Sequence, residues 1–281
     1  MRIGFIGAGK VGFSLGKYFA VNGMEVIGYF SQNLKSAQAA AEFTGTGYYE
    51  RLEDLVRDSE ALFLTVPDGA ISEVWAQLKK FSITDRIICH CSGVLSSEIF
   101  SDISEAGAFG YSIHPFLAVN DKLHSYKELS KAFITIEGND AKKGELRALF
   151  ERLGNQVLML QPEEKVRYHA AAVMASNLVL GLAETAMEEL AVCGFSKEEA
   201  GKALAPLMLG NVNHLLTDGV ECALTGPVER GDVGTVASHL AILEGENRAI
   251  YQSLSRKALV IAKRKNKDRD YKKMEDLLKN E

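Results

Sequence analysis

Gly7-Ala8-Gly9-Lys10-Val11-Gly12 follows the apolar run Ile3 to Ile6 and leads straight into a helical pattern over residues 11–22. A G-x-G-x-x-G string alone is a weak signal, but between a strand and a helix it marks the turn where a parallel sheet receives a dinucleotide. Gly7 then permits the tight turn, Gly9 lets backbone approach a pyrophosphate, and Gly12 lets helix and strand pack closely. Ala8, Lys10 and Val11 complete a helix N-terminus facing the phosphates. The plainer alternative is a glycine-rich turn that binds nothing.

Beyond this turn, apolar runs at 25–29, 61–66, 86–90, 108–112, 132–137 and 156–160 alternate with helical stretches such as 34–43 and 141–153. Such alternation predicts an α/β fold, a doubly wound and mostly parallel sheet covered on both faces. After Pro162 the strand signal stops, and long helical patterns occupy 163–193, 196–218 and 232–265. At 281 residues the chain exceeds what one core usually serves. We therefore expect a dinucleotide-binding domain over 1–161 and an all-helical substrate-binding and dimerisation domain over 162–281. The first long helix carries Ala, Val, Met and Leu all round, which predicts burial on several sides and a homodimer core.

The second strand ends Gly28-Tyr29-Phe30-Ser31-Gln32-Asn33, with no acid for the ribose hydroxyls of NAD. A hydroxyl at Ser31, an amide at Asn33 and a cation at Lys35 can hold a 2′-phosphate, so the expected coenzyme is NADP(H). The alternative is that Ser31 or Asn33 merely caps the next helix. Thr65, Val66 and Pro67 end a later strand where backbone can approach a nicotinamide ribose, and Asp68 is placed to cap a helix starting near Ala70.

The net charge of −5 gives no broad reason to bind nucleic acid or an anionic membrane; the locally basic stretch 263–273 reads as a solvated helix end. No charged, apolar and cleavable leader opens the sequence, and no apolar run reads as long enough to span a bilayer. Four scattered cysteines, Cys89, Cys91, Cys193 and Cys222, do not make a disulfide framework, which suits a reducing cytoplasm. Cys89-His90-Cys91 lacks the ligand pairs of a metal site and reads as a buried strand end, so no metal is expected.

Three polar clusters fall where a substrate can meet the coenzyme. They are His90-Cys91-Ser92-Gly93 after one strand, His114-Pro115-Phe116 after the next, and Tyr168-His169 through Ser176-Asn177 on the first long helix. With Thr65-Val66-Pro67-Asp68 and Thr225-Gly226-Pro227 through Arg230-Gly231-Asp232, these strings resemble Rossmann-like proteins with a DUF2520 C-terminal half. The resemblance spans nearly the full length. That family includes an alternative class of ketopantoate reductase, and more distantly the arrangement resembles pyrroline-5-carboxylate reductase and the β-hydroxyacid dehydrogenases.

The resemblance implies an NADPH-dependent reductase of a small 2-keto acid, with ketopantoate the leading substrate. Ketopantoate reductases and β-hydroxyacid dehydrogenases place Lys four residues before Asn on that helix; with Asn177 as the Asn, the Lys position is Val173. The expected proton donors are then His169, eight residues before Asn177 and so on the same helix side, next Lys165, and third His114. Ser92, Gly93, His114, Asn177, Thr225 and Arg230 are the expected substrate contacts, with Arg230 and the exposed helix amides taking a carboxylate. Two rivals stand beside this reading: an imine reductase of the pyrroline-5-carboxylate kind, and an NADP-binding regulatory protein without catalysis.

Overall fold

The structure, a computed structural model, describes residues 1–279. The chain divides into two compact units, Met1–Ser176 and Asn177–Glu281, the second described here to residue 279. In the first unit the order is β1 (Ile3–Ile6), α1 (Lys10–Val21), β2 (Val26–Phe30), α2 (Leu34–Thr44), β3 (Gly47–Tyr48), α3 (Leu52–Asp58), β4 (Ala61–Leu64) and α4 (Ile71–Leu78). β5 (Ile87–His90), β6 (Phe109–Pro115), β7 (Ile134–Gly138), α5 (Asp140–Arg152), β8 (Val157–Met159) and α6 (Lys165–Ala175) follow.

The eight strands form one sheet in the order β3-β2-β1-β4-β5-β6-β7-β8. All neighbours are parallel except β6 and β7. Strand alternation feeds two cores. Ile3, Phe5, Phe63, Ile87 and Cys89 pack with Phe13, Phe19 and Phe150 of α1 and α5 on one face. Ile6, Leu62, Leu64 and Ile88 pack with Leu55 and Trp75 of α3 and α4 on the other. Burial on both faces explains why these strands read as unbroken apolar runs.

In this unit three details differ from the sequence reading. β6 runs on through His114 and Pro115, which therefore lie in the strand; antiparallel pairing of Ile113 with Ile136 and His114 with Thr135 carries it past its parallel neighbour. β3, an exposed two-residue edge strand, was not expected. The helix expected over 163–193 is interrupted: after a 3-10 turn, α6 ends at Ser176, whose φ of −126° and ψ of −82° are not helical.

In the second unit, α7 (Asn177–Val192) and α8 (Lys197–Ala223) are followed by α9 (Pro227–Arg230), α10 (Val233–Ile242), α11 (Gly245–Lys265) and α12 (Lys272–Lys279). Ser196 and Glu199 form a reciprocal capping box on α8. Gly219, with φ 80°, breaks α8 just after the expected end at 218. The single helix expected over 232–265 is instead α10 and α11, parted at residues 243–244. The basic stretch 263–273 does expose its charged side chains at the end of α11, but Tyr271 within it, and Met274 and Leu278 beyond it, fold back into a small core with Leu240 and Leu259. That core leaves α7 bare, with no residue buried and Leu180 70% exposed. Residues 162–192 are long and apolar enough, by length and composition, to cross a membrane, which corrects the earlier expectation. The stretch is broken at Ser176 and carries Glu163, Glu164, Lys165, Arg167, Glu184, Glu188 and Glu189.

Candidate active site

Helices on opposite faces lead from β1 to β2 and from β3 to β4, so a crevice opens beyond the carboxyl ends of β1 and β4. A cleft of about 330 Å³ occupies it. Gly7, Ala8 and Gly9 wall it on one side, Thr65, Val66 and Pro67 on another, and Ser31 and Asn33 close its end. A Cβ on Gly7 (φ 102°) would stand 2.8 Å from the Thr65 carbonyl, and one on Gly12 would stand 2.5 Å from Thr65 Oγ1. At Gly9 it would meet nothing nearer than 3.8 Å. Two glycines thus serve the packing of β1, α1 and β4, while the third leaves backbone bare toward the cleft. Thr65 Oγ1 completes the join by donating to the Gly7 carbonyl at 2.9 Å.

Lys10, Val11 and Gly12 open α1, and Gly9 supplies no side-chain cap, so the first amides keep their hydrogen-bonding capacity toward the cleft. This donor set suits a pyrophosphate. Asn33 Oδ1 accepts from the Lys35 amide, so Asn33 does cap α2, and Lys35 is exposed in the first turn. Among the described residues lining the cleft the carboxylate is Glu73 of α4, which the sequence reading did not single out.

Farther along the same sheet edge, β5 and β6 carry the second constellation. A Cβ placed on Gly93 would lie 2.6 Å from His169 Cδ2 and 3.0 Å from His114 Nε2, so the two rings converge on this glycine. His114 Nδ1 is 2.8 Å from the Tyr168 hydroxyl. Burial, then the nearby Lys165 charge, pushes the His114 pKa down to about 3.

The turn bearing Gly93 is held from below. Ser92 Oγ donates to Asp68 at 2.8 Å and accepts from the Leu95 amide at 3.1 Å. His90 is fully buried; its Nδ1 accepts from the Ser92 amide at 3.2 Å, which leaves Nε2 to donate to the Ser96 carbonyl at 3.1 Å. Burial lowers its pKa to about 4. Asp68 therefore braces Ser92, while α4 begins after Ala70 with no side-chain cap. The Cys91 thiol is pushed up to about 12 by burial, and Cys89 is raised by burial as well. No group of three or more metal-ligating side chains occurs among the described residues.

Lys165 is only 1% exposed, and its Nζ donates to Ser112 Oγ at 2.7 Å and to the Ser92 carbonyl at 3.1 Å. Burial lowers its pKa to about 8, while Glu137, Cys91 and Asp68 pull the other way. Helix spacing had set it on the face of His169, as a donor to substrate. Its chain instead dives between the ends of β5 and β6, where the ammonium ties the Ser92 turn to the sheet. The spacing argument for Asn177 also loses its basis, because the break at Ser176 separates it from His169; Asn177 opens α7 and is exposed. Thr225 and Arg230 are exposed in the second unit, Thr225 just before α9 and Arg230 at its end, and Asp232 caps α10 through Thr235.

The sequence reading missed Tyr168, Thr135, Ser112 and Glu137 as supports. Buried Glu137 accepts from the Ser97 amide and hydroxyl, both at 2.7 Å. Only Tyr168 left a signal, through its place beside His169.

The family model described as a Rossmann-like domain matches residues 1–115, and that of the domain of unknown function DUF2520 matches residues 132–258. No curated protein matches the chain in sequence. Among solved structures, a Thermotoga maritima protein is 26% identical with a TM-score of 0.75, over 94% of this chain and 99% of its own. A Bacteroides fragilis protein, by name a candidate NADP oxidoreductase, is 20% identical with a TM-score of 0.72, covering 92% and 98%. A pyrroline-5-carboxylate reductase from Coxiella burnetii is 16% identical with a TM-score of 0.62, covering 93% and 97%, a likeness of fold. The chain thus joins a Rossmann-like domain to a DUF2520 domain, with a phosphate-ready cleft and a paired-histidine turn on one sheet edge.

Proposed function

We propose that this chain is an NADPH-dependent reductase that converts a small 2-keto acid, ketopantoate first, to the 2-hydroxy acid. One observation carries the reading: a bare glycine cradle suited to a pyrophosphate and a convergent pair of imidazoles share the carboxyl edge of one sheet. The name of the Bacteroides fragilis neighbour, and the NADPH complex of an Aspergillus terreus reductive aminase of similar fold, support the coenzyme. When bound, the coenzyme supplies the hydride. Gly9 and the opening amides of α1 would hold its pyrophosphate, and Ser31, the Asn33 amide and Lys35 its 2′-phosphate. His169 gives the carbonyl oxygen its proton, and Ser92 and Gly93 shape the floor beneath the substrate. Asn177, Thr225 and Arg230 are proposed substrate contacts, each open to test by single substitution.

The names of the imine-reducing neighbours favour a second reading, reduction of a cyclic imine carboxylate. Steady-state NADPH oxidation with ketopantoate, with pyrroline-5-carboxylate and with neither separates them. Ketopantoate-dependent oxidation supports the first reading and imine-dependent oxidation the second; tight NADPH binding without turnover leaves a nucleotide-responsive regulator.

The bare apolar surface of α7 and α8, including Leu178, Leu180, Leu207 and Leu216, supports a homodimer formed by the helical unit. Sedimentation at micromolar concentration should show two chains, and Leu180→Glu should shift the population toward monomer. Free thiols at Cys89, Cys91, Cys193 and Cys222 accord with the proposed cytoplasmic setting.

A further inference from the structure

His114 sits at the end of a chain of hydroxyls that bears on where its ring proton lies. Thr135 Oγ1 lies 3.3 Å from both the Tyr168 hydroxyl and the His114 carbonyl, either of which can accept its one hydrogen, and the Tyr168 hydroxyl is 2.8 Å from His114 Nδ1. The Tyr168 oxygen has a single hydrogen, and the shorter contact is the one to the imidazole. A Tyr168 hydroxyl that spends this hydrogen on Nδ1 leaves a neutral ring with its hydrogen on Nε2.

Nε2 is the edge that faces the turn. Among the described residues no side chain or backbone group bonds to it, and it is not one of the two buried polar atoms sealed without a partner. It lies 3.0 Å from the point where a Gly93 Cβ would stand, with His169 against the same point. Any larger residue at 93 would cover this N–H. The groups around the ring also keep it neutral: burial acts first, then Lys165, His169 and His90. Tyr168, itself raised to about 12 by burial, stays protonated and able to donate.

We propose that Tyr168 is a positioning residue that fixes His114 as its neutral Nε2–H tautomer, and that this N–H is the hydrogen-bond donor offered to the substrate's carbonyl oxygen. The inference rests on the reductase reading. It divides labour between the two rings at Gly93: His114 polarises the carbonyl and keeps its proton, while the proton that ends on the alcohol comes from His169. A preorganised donor aimed at oxygen where negative charge develops is an effective way to stabilise such a step.

Long-range proton–nitrogen NMR of the full chain labelled with [15N]histidine tests the tautomer directly, the His114 signals being assigned with His114→Gln. The expected ring carries hydrogen on Nε2 and none on Nδ1, and does not titrate between about pH 5 and 8. In Tyr168→Phe the same ring should become a mixture of tautomers. An Nδ1–H ring, a ring that protonates in that range, or a tautomer unchanged by Tyr168→Phe overturns the proposal whatever the enzyme's substrate.

Single-turnover hydride transfer at saturating NADPH and ketopantoate reads the consequence. His114→Ala should lose a factor on the order of 10² to 10³ in rate, as expected for removal of one preorganised donor. His114→Gln, whose side-chain amide can reach the same oxygen, should recover much of it, and Tyr168→Phe should lower kcat with KM little changed. Equal losses in His114→Gln and His114→Ala sink the donor role. If the tautomer is as expected but the unaltered enzyme reduces neither keto acid nor imine, the reductase reading has failed and takes the donor's substrate with it, while the Tyr168–His114 geometry stands.

Discussion

The nucleotide cleft and the histidine turn lie on one edge of one sheet, yet they are built in opposite ways. The cleft is made of backbone: three glycines within six residues of chain, two required by packing and one left bare. The turn is made of side chains from β6, α6 and the loop after β5, which meet only in the folded chain. A backbone site shows in a contiguous string, because the string itself dictates the turn. A side-chain site shows only its members, and its wiring waits for the structure.

The largest expected effect probes the side-chain site. His169→Ala should slow single-turnover hydride transfer by a factor on the order of 10² to 10⁴ if His169 is the general acid. NADPH affinity should hold, because the cleft's walls do not include this ring. Parental rates in His169→Ala, with collapse in His114→Ala, would move the proton donor to the other ring. Loss of NADPH binding instead would show that the two sites are not separable.

Next comes the buried lysine beneath the turn. Its pKa of about 8 lies below its ordinary value of 10.5, so the unfolded chain binds more protons between these two pH values. Stability should therefore rise with pH across that window, by roughly 3 kcal/mol, as the charge that burial disfavours is discharged. Lys165→Met removes the group and should lack this rise. Urea unfolding of both proteins on either side of the window isolates the difference, and parallel stability curves would mean that Lys165 is not sealed.

The glycines sharpen the comparison from the other side. Gly12→Val must push against Thr65 Oγ1 and the Gly7 carbonyl, and overpacking of this kind costs about 1–3 kcal/mol in stability. Gly9→Ala has room for its Cβ, so thermal unfolding without ligand should be unchanged while NADPH binding weakens. Should both variants lose stability equally, the division between packing glycines and a binding glycine is wrong.

What was legible follows the same line. Strands β1, β4 and β5 were readable to within two residues because burial on both faces gives unbroken apolar runs. The break at Ser176 was not, since apolar residues continue on either side of it; nor was the parting of α10 from α11, although Gly245, with φ 51°, stood there as a signal. The tail hid Tyr271, Met274 and Leu278, spaced for one helix face, under a basic composition. At the site, His114, His169 and Gly93 were named from the sequence, but their convergence was not, because it depends on β6 extending along an antiparallel partner. Lys165 was placed by helix spacing alone, which says which side a residue leaves from and not how deep its chain goes.

The smallest effect concerns the end of the cleft, where Ser31 and Asn33 form the wall and Asn33 Oδ1 is already engaged with the Lys35 amide. The Asn33 Nδ2 amide can still donate, so Ser31, Asn33 and the exposed Lys35 are the groups able to favour a 2′-phosphate. With no Arg among residues 31–35 to make a bidentate contact, the preference for NADPH over NADH should be moderate. Ser31→Asp adds a negative charge beside the phosphate, and at about 4 Å in a water-like medium the repulsion is only about 1 kcal/mol. Selectivity should then shift toward NADH by several-fold, and added salt should shrink the shift because the site is open. Titrating both coenzymes against the parent and Ser31→Asp, at low and high ionic strength, measures this. A shift unaffected by salt would place the carboxylate in hydrogen bonds with the ribose, where it acts as an acceptor for NADH more than as a repeller of phosphate. No shift at all would mean that the adenosine ribose lies away from Ser31, and Glu73 on the facing wall would become the residue to change next.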